Sequence, residues 1–183
     1  GRDIKANRAE ARRLLKEAGQ ENLSFTLLNR GVDQPYKIVG TWLIDQWRKT
    51  GIKVKQDVKP TGPFLDSLRK KKDFDVSIDF NCQSVINPVV DASKFLGSAG
   101  NNYGQYDDPE LEAMFDKMNQ EGDPKKVREL IRAYEKRVLD DEAHMALTMW
   151  WYKINPHRSY VKGWKIAPSH YLNQSLDNIW LDK

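Results

Sequence analysis

Asn81, Gln83, Ser84 and Asn87 crowd into one short run, NCQSVIN, with Pro88 directly behind it. Amide and hydroxyl groups at this density offer hydrogen-bond donors and acceptors without formal charge. Each would cost about 1–3 kcal/mol if buried without a partner, so a surface loop or a ligand pocket suits them better than a core. Ahead of them, Phe74, Val76, Ile78 and Phe80 alternate with polar residues, the period of a half-buried strand. The polar run therefore sits at a strand's carboxyl end, where open α/β sheets bind ligands. Arg30 closes another apolar run and can offer a forked contact to an anionic group. Trp150 and Tyr152, beside Trp151, can supply an aromatic wall.

Reactive chemistry finds little support. His144, His157 and His170 lie far apart and form no HExxH-type metal pattern. Cys82 has no base near it in sequence and no nucleophile elbow around it, which reads as an inert thiol. The pairs Asp107-Asp108 and Asp140-Asp141 fall at helix ends, where capping accounts for them. Gly97-Ser98-Ala99-Gly100 is too poor a match to a phosphate-binding loop. No catalytic residue, metal or cofactor is expected.

The elements that must position these residues alternate. Asn7 and Glu10 suggest the capping of a helix through Ala11, Leu14, Leu15 and Ala18, which Gly19 stops. Leu23–Leu28 reads as a strand broken by Asn29-Arg30-Gly31. A helix over about 35–50 takes its stripe from Ile38, Trp42, Ile44 and Trp47. Ile52, Val54 and Val58 suggest the next strand, and Pro60-Thr61-Gly62-Pro63 a turn into a short helix through Phe64 and Leu68. Strands alternating with helices imply a parallel or mixed sheet. A loop over 97–107 precedes two helices, each opened by Asp-Pro at Asp108-Pro109 and Asp123-Pro124. Met145–Ile154 reads as a strand from its aromatic content. Shorter strand-like pieces are expected at Ser159–Val161 and Ile179–Leu181 within an otherwise aperiodic tail.

Composition sets outer bounds. The 183 residues suffice for one sizeable core. The net charge of +4 comes from 30 basic and 26 acidic residues that are interspersed, and Arg69–Lys72 is the dense basic run. That pattern argues against a nucleic-acid face, which needs its basic residues gathered. A single cysteine excludes an intrachain disulfide framework. No apolar run approaches a membrane span and no signal peptide is visible, while Gly1 in place of Met suggests a trimmed chain.

Several segments in order carry a resemblance. They are Ala11–Gly19, Trp42–Gly51 leading into Ile52-Lys53-Val54, Phe74-Asp75-Val76, and Asn102-Tyr103 through Leu111. Leu139–Ala143, Trp150-Trp151-Tyr152 and Val161-Lys162-Gly163-Trp164 complete the set. The chain resembles the carboxyl-terminal part of family 5 extracellular solute-binding proteins, the dipeptide-, oligopeptide- and nickel-type receptors of ABC importers. The resemblance implies an α/β, type II periplasmic-binding-protein-like lobe. Its sheet would be mixed and mostly parallel, flanked by helices, with a C-terminal tail. Residues 1–158 would be the second lobe, and 159–183 a tail returning to a first lobe not contained here.

The implied role is capture of a small polar solute or peptide for import, outside the cytoplasm, in the periplasm or at the cell surface. The implied partners are that solute, the membrane subunits of an ABC permease and the missing N-terminal lobe, with no nucleic acid. Asn81, Gln83, Ser84 and Asn87 would hydrogen-bond the solute, Arg30 would supply charge, and Trp150 or Tyr152 a wall. One departure bears on the solute. Peptide-binding members place an Asp shortly before this Pro to hold the ammonium group, whereas Cys82–Pro88 contains no acid. A neutral polar solute, or an anion meeting Arg30, fits at least as well. The alternatives are a small α/β enzyme using Cys82 and a nucleic-acid module using Arg69–Lys72.

Overall fold

A computed structural model describes residues 3–80, 87–150, 154–165 and 176–183. The chain divides into two compact units, Gly1–Phe80 and Asn81–Lys183.

In the first unit, helix α1 (Ile4–Glu17) is capped by Asp3, whose carboxylate accepts from the N–H groups of Lys5 and Ala6. The expected cap at Asn7 is corrected by one turn: Asp3 is a competent cap, and helical spacing holds back to Ile4. Strand β1 (Ser24–Arg30) runs through the Asn29-Arg30 pair that was expected to break it. A wide helical turn, Asp33–Lys37, leads into α2 (Ile38–Arg48). Strand β2 (Lys53–Lys59), helix α3 (Thr61–Leu65) with its wide-turn continuation Asp66–Lys71, and strand β3 (Val76–Ser77) follow. The sheet order is β2-β1-β3, and both pairings are parallel.

Central β1 is covered on both faces, which is why Leu27, Leu28 and Asn29 are buried in succession rather than alternately. Phe25 meets the edge of Trp47 at 5.1 Å, and Phe64 and Leu68 are fully buried. The stripe of α2 differs from expectation. Ile38 and Trp42 face solvent, while Tyr36, Val39 and Gly40 are buried. Gly40 explains the rotation. A Cβ there would lie 2.3 Å from Gln56 Nε2 and 2.4 Å from Asn29 Nδ2, so the helix can approach the strands so closely through a residue without one.

The strand expected over 74–80 shortens to Val76–Ser77, and side chains account for both ends. The Asp75 carboxylate accepts from Thr26 N–H at 2.9 Å, and the Asn29 side chain accepts from Arg30 N–H at 2.8 Å. Between them Ile78 N–H donates to Leu28 C=O. Thr26, Leu28 and Arg30 point the same way in a parallel ladder, so the β3-facing edge of β1 is satisfied without a longer partner.

The second unit packs helices. Short helix α4 (Pro88–Ala92), capped by Asn87, continues as a tight turn, Ser93–Phe95. Helices α5 (Pro109–Gln120) and α6 (Pro124–Lys136) start at the two Asp-Pro signals, with Asp108 and Asp123 as caps. Ala92, Leu111, Met118, Tyr134 and Val138 form their core, and Tyr134 donates its hydroxyl to Ala92 C=O at 2.9 Å. Buried Asn102 braces the preceding loop, donating to the carbonyls of Leu96 and Tyr106 and accepting from Tyr106 N–H.

Met145–Trp150, expected as a strand, has no strand partner among the described residues and is largely exposed. The tail contributes an antiparallel pair, β4 (Val161–Lys162) with β5 (Trp180–Leu181). Gly163 beside it has φ +78°, and a Cβ there would sit 1.8 Å from Asn178 O, so the position demands glycine.

Two outcomes follow. An exposed helical Gly→Ala change normally gains about 1 kcal/mol; Gly40→Ala should instead cost about 1–3 kcal/mol from overpacking, read as a lowered urea midpoint. An unchanged or raised midpoint would mean that α2 is not pressed against Asn29 and Gln56. The second concerns Asp108, which Arg137 holds through a two-pronged contact at 2.7 and 3.1 Å. That contact lowers its pKa below the usual carboxylate range, helped by the Glu110 and Leu111 N–H groups. A lowered carboxylate stabilises the fold above its unfolded pKa and loses that contribution as pH falls through the lowered value. Asp108→Asn should therefore lower Tm at pH 7, and the two melting profiles should begin to approach each other as pH falls below about 4 and meet only once it has passed the lowered value. Parallel profiles would contradict this.

Candidate functional site

Because all three strands of the first unit run parallel, their carboxyl ends share one edge. Arg30 ends β1, Lys59 ends β2, and Ile78 to Phe80 follow β3. Arg30 is held in place there. Its Nε donates to Thr61 Oγ1 at 3.0 Å, and its guanidinium carbon lies 5.4 Å from the centre of the Tyr36 ring. The Tyr36 ring in turn meets Phe80 edge-on at 6.3 Å. Nε is thus occupied while the guanidinium rests on an aromatic face, the arrangement in which a planar cation is presented for bidentate recognition of an anion.

Asp79 stands beside this cation. Desolvation raises its carboxyl pKa, while the Phe80 N–H and the charges of Arg69 and Arg30 pull it back. The residue keeps substantial solvent exposure. Lys59 is engaged away from the edge, with Nζ donating to Ser67 Oγ at 2.8 Å and lying 3.3 Å from Asp57. The basic run Arg69–Lys72 is partly neutralised, since Lys70 and Lys71 both pair with Asp66.

The other residues singled out from the sequence belong to the second unit or fall outside the described residues. Asn81, Gln83, Ser84 and Tyr152 lie outside them, as does Cys82. Asn87 directs Oδ1 to Val89 N–H at 3.0 Å as the cap of α4. Trp150 is 90% exposed and lies outside any helix or strand. His144 lies stacked on Tyr106 with ring centres 4.1 Å apart, and the Tyr106 hydroxyl donates to its carbonyl, which is a packing role. Among the described residues no group of three or more His, Cys, Asp or Glu side chains is placed to hold a metal ion.

Sequence reasoning missed Asn29, Tyr36, Thr61 and Asp79. Asn29 was read as a strand breaker. Its signal was the apolar pair Leu27-Leu28 before it, which marks a strand buried on both faces, where a polar residue must have a dedicated partner. Thr61 lay in the recognised Pro-Thr-Gly-Pro turn, two residues beyond the end of β2.

Residues 2–103 match the sequence profile of "Bacterial extracellular solute-binding proteins, family 5 Middle". No curated protein matches the sequence. Solved structures share the fold. The ABC transporter-associated periplasmic binding protein DppA of Helicobacter pylori, in complex with the peptide STSA, superposes with a TM-score of 0.80 at 20% identity, over 94% of this chain and 34% of that one. The substrate-binding domain of an oligopeptide ABC transporter from Bacillus anthracis gives 0.67 at 22% identity, over 77% and 28%. OppA of Haemophilus influenzae, in complex with RPPGFSPFR, gives 0.65 at 22%, over 72% and 26%. This chain thus spans about a third or less of the length of these proteins. No helix among the described residues is long and apolar enough to cross a membrane. A profile match over more than half of the chain, on a periplasmic-binding-protein fold, makes this chain a member of the bacterial extracellular solute-binding proteins of family 5.

Proposed function

We propose that this chain is the second lobe of a receptor that captures a small polar solute or peptide outside the cytoplasm and delivers it to an ABC permease. The observation that carries the reading is Arg30, presented at the carboxyl edge of a parallel sheet by Thr61 and Tyr36. Strand ends of open α/β sheets are where such folds bind ligands. Arg30 would take an anionic group of the solute, such as a carboxylate. Asn81, Gln83, Ser84 and Asn87 would hydrogen-bond its polar body, with Trp150 or Tyr152 as a wall. The described relatives are binding proteins, two of them in complex with peptides, which supports capture without chemistry.

Residues 159–183 would return to a first lobe in the rest of the protein. Exposed apolar side chains support this division. Leu147, Met149, Trp150 and Ile154 ahead of the tail, and Leu176, Trp180 and Leu181 within it, are at least half exposed. Large apolar side chains left exposed in this number fit a surface that another body covers. The lobes would close on the solute as a hinged clamp, in the periplasm or at the cell surface.

The test is a melting-shift screen of the two-lobed protein with the peptide Ser-Thr-Ser-Ala, its C-terminal amide and uncharged polar solutes. A solute carrying a free carboxylate should raise Tm. Saturation at a hundredfold over Kd is worth about 2.7 kcal/mol. Arg30→Gln should weaken that binding about tenfold or more, the loss expected of one charge-assisted hydrogen bond. Equal shifts for the wild type and Arg30→Gln, or for acid and amide, would remove Arg30 from the site.

A further inference from the structure

Asn29 is a fully buried polar side chain in the central strand, one residue before Arg30. Its Nδ2 donates to Tyr36 C=O at 2.8 Å, and its Oδ1 accepts from Arg30 N–H at 2.8 Å. The first bond ties the strand to the Asp33–Lys37 turn, which carries the ring beneath the Arg30 guanidinium. The second fixes the backbone from which Arg30 departs. Close packing of α2 at Gly40 leaves the Asn29 amide little room to move. A single amide thus holds both the cation's backbone and the segment bearing its aromatic support, where a leucine of similar size would satisfy neither.

We infer that Asn29 is a positioning residue: it sets the geometry in which Arg30 is offered at the sheet edge, acting through Tyr36 and through the Arg30 backbone. The inference deepens the reading of Arg30 as an anion anchor and rests on it for its functional meaning. Its geometric content stands apart from any ligand.

Asn29→Asp separates the two bonds. The carboxylate still accepts from Arg30 N–H but repels Tyr36 C=O. The readout is the Arg30 Nε–H resonance of the arginine-labelled chain, assigned by its loss in Arg30→Lys. Asn29→Asp should speed exchange of this proton about tenfold, the factor that accompanies loss of one hydrogen bond. It should also move the chemical shift toward that of Tyr36→Leu, as the ring current is lost. Val54→Ala, a truncation on β2 away from the edge, should lower Tm without moving either signal. An Arg30 Nε–H unchanged in Asn29→Asp, or moved equally by Val54→Ala, would overturn the inference. If Asn29→Asp does not fold, the wild type decides. A through-hydrogen-bond coupling between the Asn29 amide and the Tyr36 carbonyl supports the inference, and its absence refutes it. None of these readouts uses a ligand. Failure of Arg30 as an anchor shows instead in titrating wild type and Arg30→Gln with N-acetylglycine.

Discussion

The first unit depends on how one edge of β1 is satisfied. A parallel central strand must pair its backbone on both sides, yet β3 is two residues long. Thr26 N–H goes to the Asp75 side chain, Leu28 C=O receives Ile78 N–H, and Arg30 N–H goes to the Asn29 side chain. A backbone group shielded from water without a partner costs about as much as a lost hydrogen bond, and these side chains supply the partners that a longer β3 would have given. Replacing ladder with side chains also ends β3 early, so Asp79 and Phe80 leave the sheet beside Arg30. The device that completes the sheet is therefore the one that shapes its edge.

The same economy recurs in the second unit. Asn102 replaces regular structure in the loop ahead of α5, and Asp108 both caps that helix and pairs with Arg137. Loops here are fixed by buried or half-buried polar side chains rather than by extended ladders. This fits a chain with 39% hydrophobic and 31% charged residues. Apolar side chains that such devices cannot cover, Trp150 and Ile154 foremost, remain at the surface.

Much of the architecture was legible because local signals carried it. Asp-Pro before apolar stripes located α5 and α6, and strands alternating with helices gave a parallel sheet. What was illegible depended on tertiary contact. The helical wheel gave Ile38 and Trp42 to the buried stripe of α2, but the close approach at Gly40 turned them outward. Aromatic content at 145–150 read as a strand, yet a strand requires a partner, which composition cannot supply. Asn29 looked like a breaker because propensity prices an asparagine by its own preferences and not by a carbonyl seven residues away. Of the candidate site, the strand-end location and Arg30 were readable. The ring, hydroxyl and amide that hold Arg30 were not, since they come from three separate elements.

Within family 5, the first unit of this chain has a sheet edge that carries a supported cation and an adjacent carboxylate; the sequence of Cys82–Pro88 contains no acid. The central claim is that side chains complete the β3-facing edge of β1. Native-state hydrogen exchange tests it directly through the backbone amides of Thr26 and Arg30. The account predicts protection at both close to that of Leu28 in the middle of the strand. Exchange of either amide at the rate of an exposed loop would contradict it.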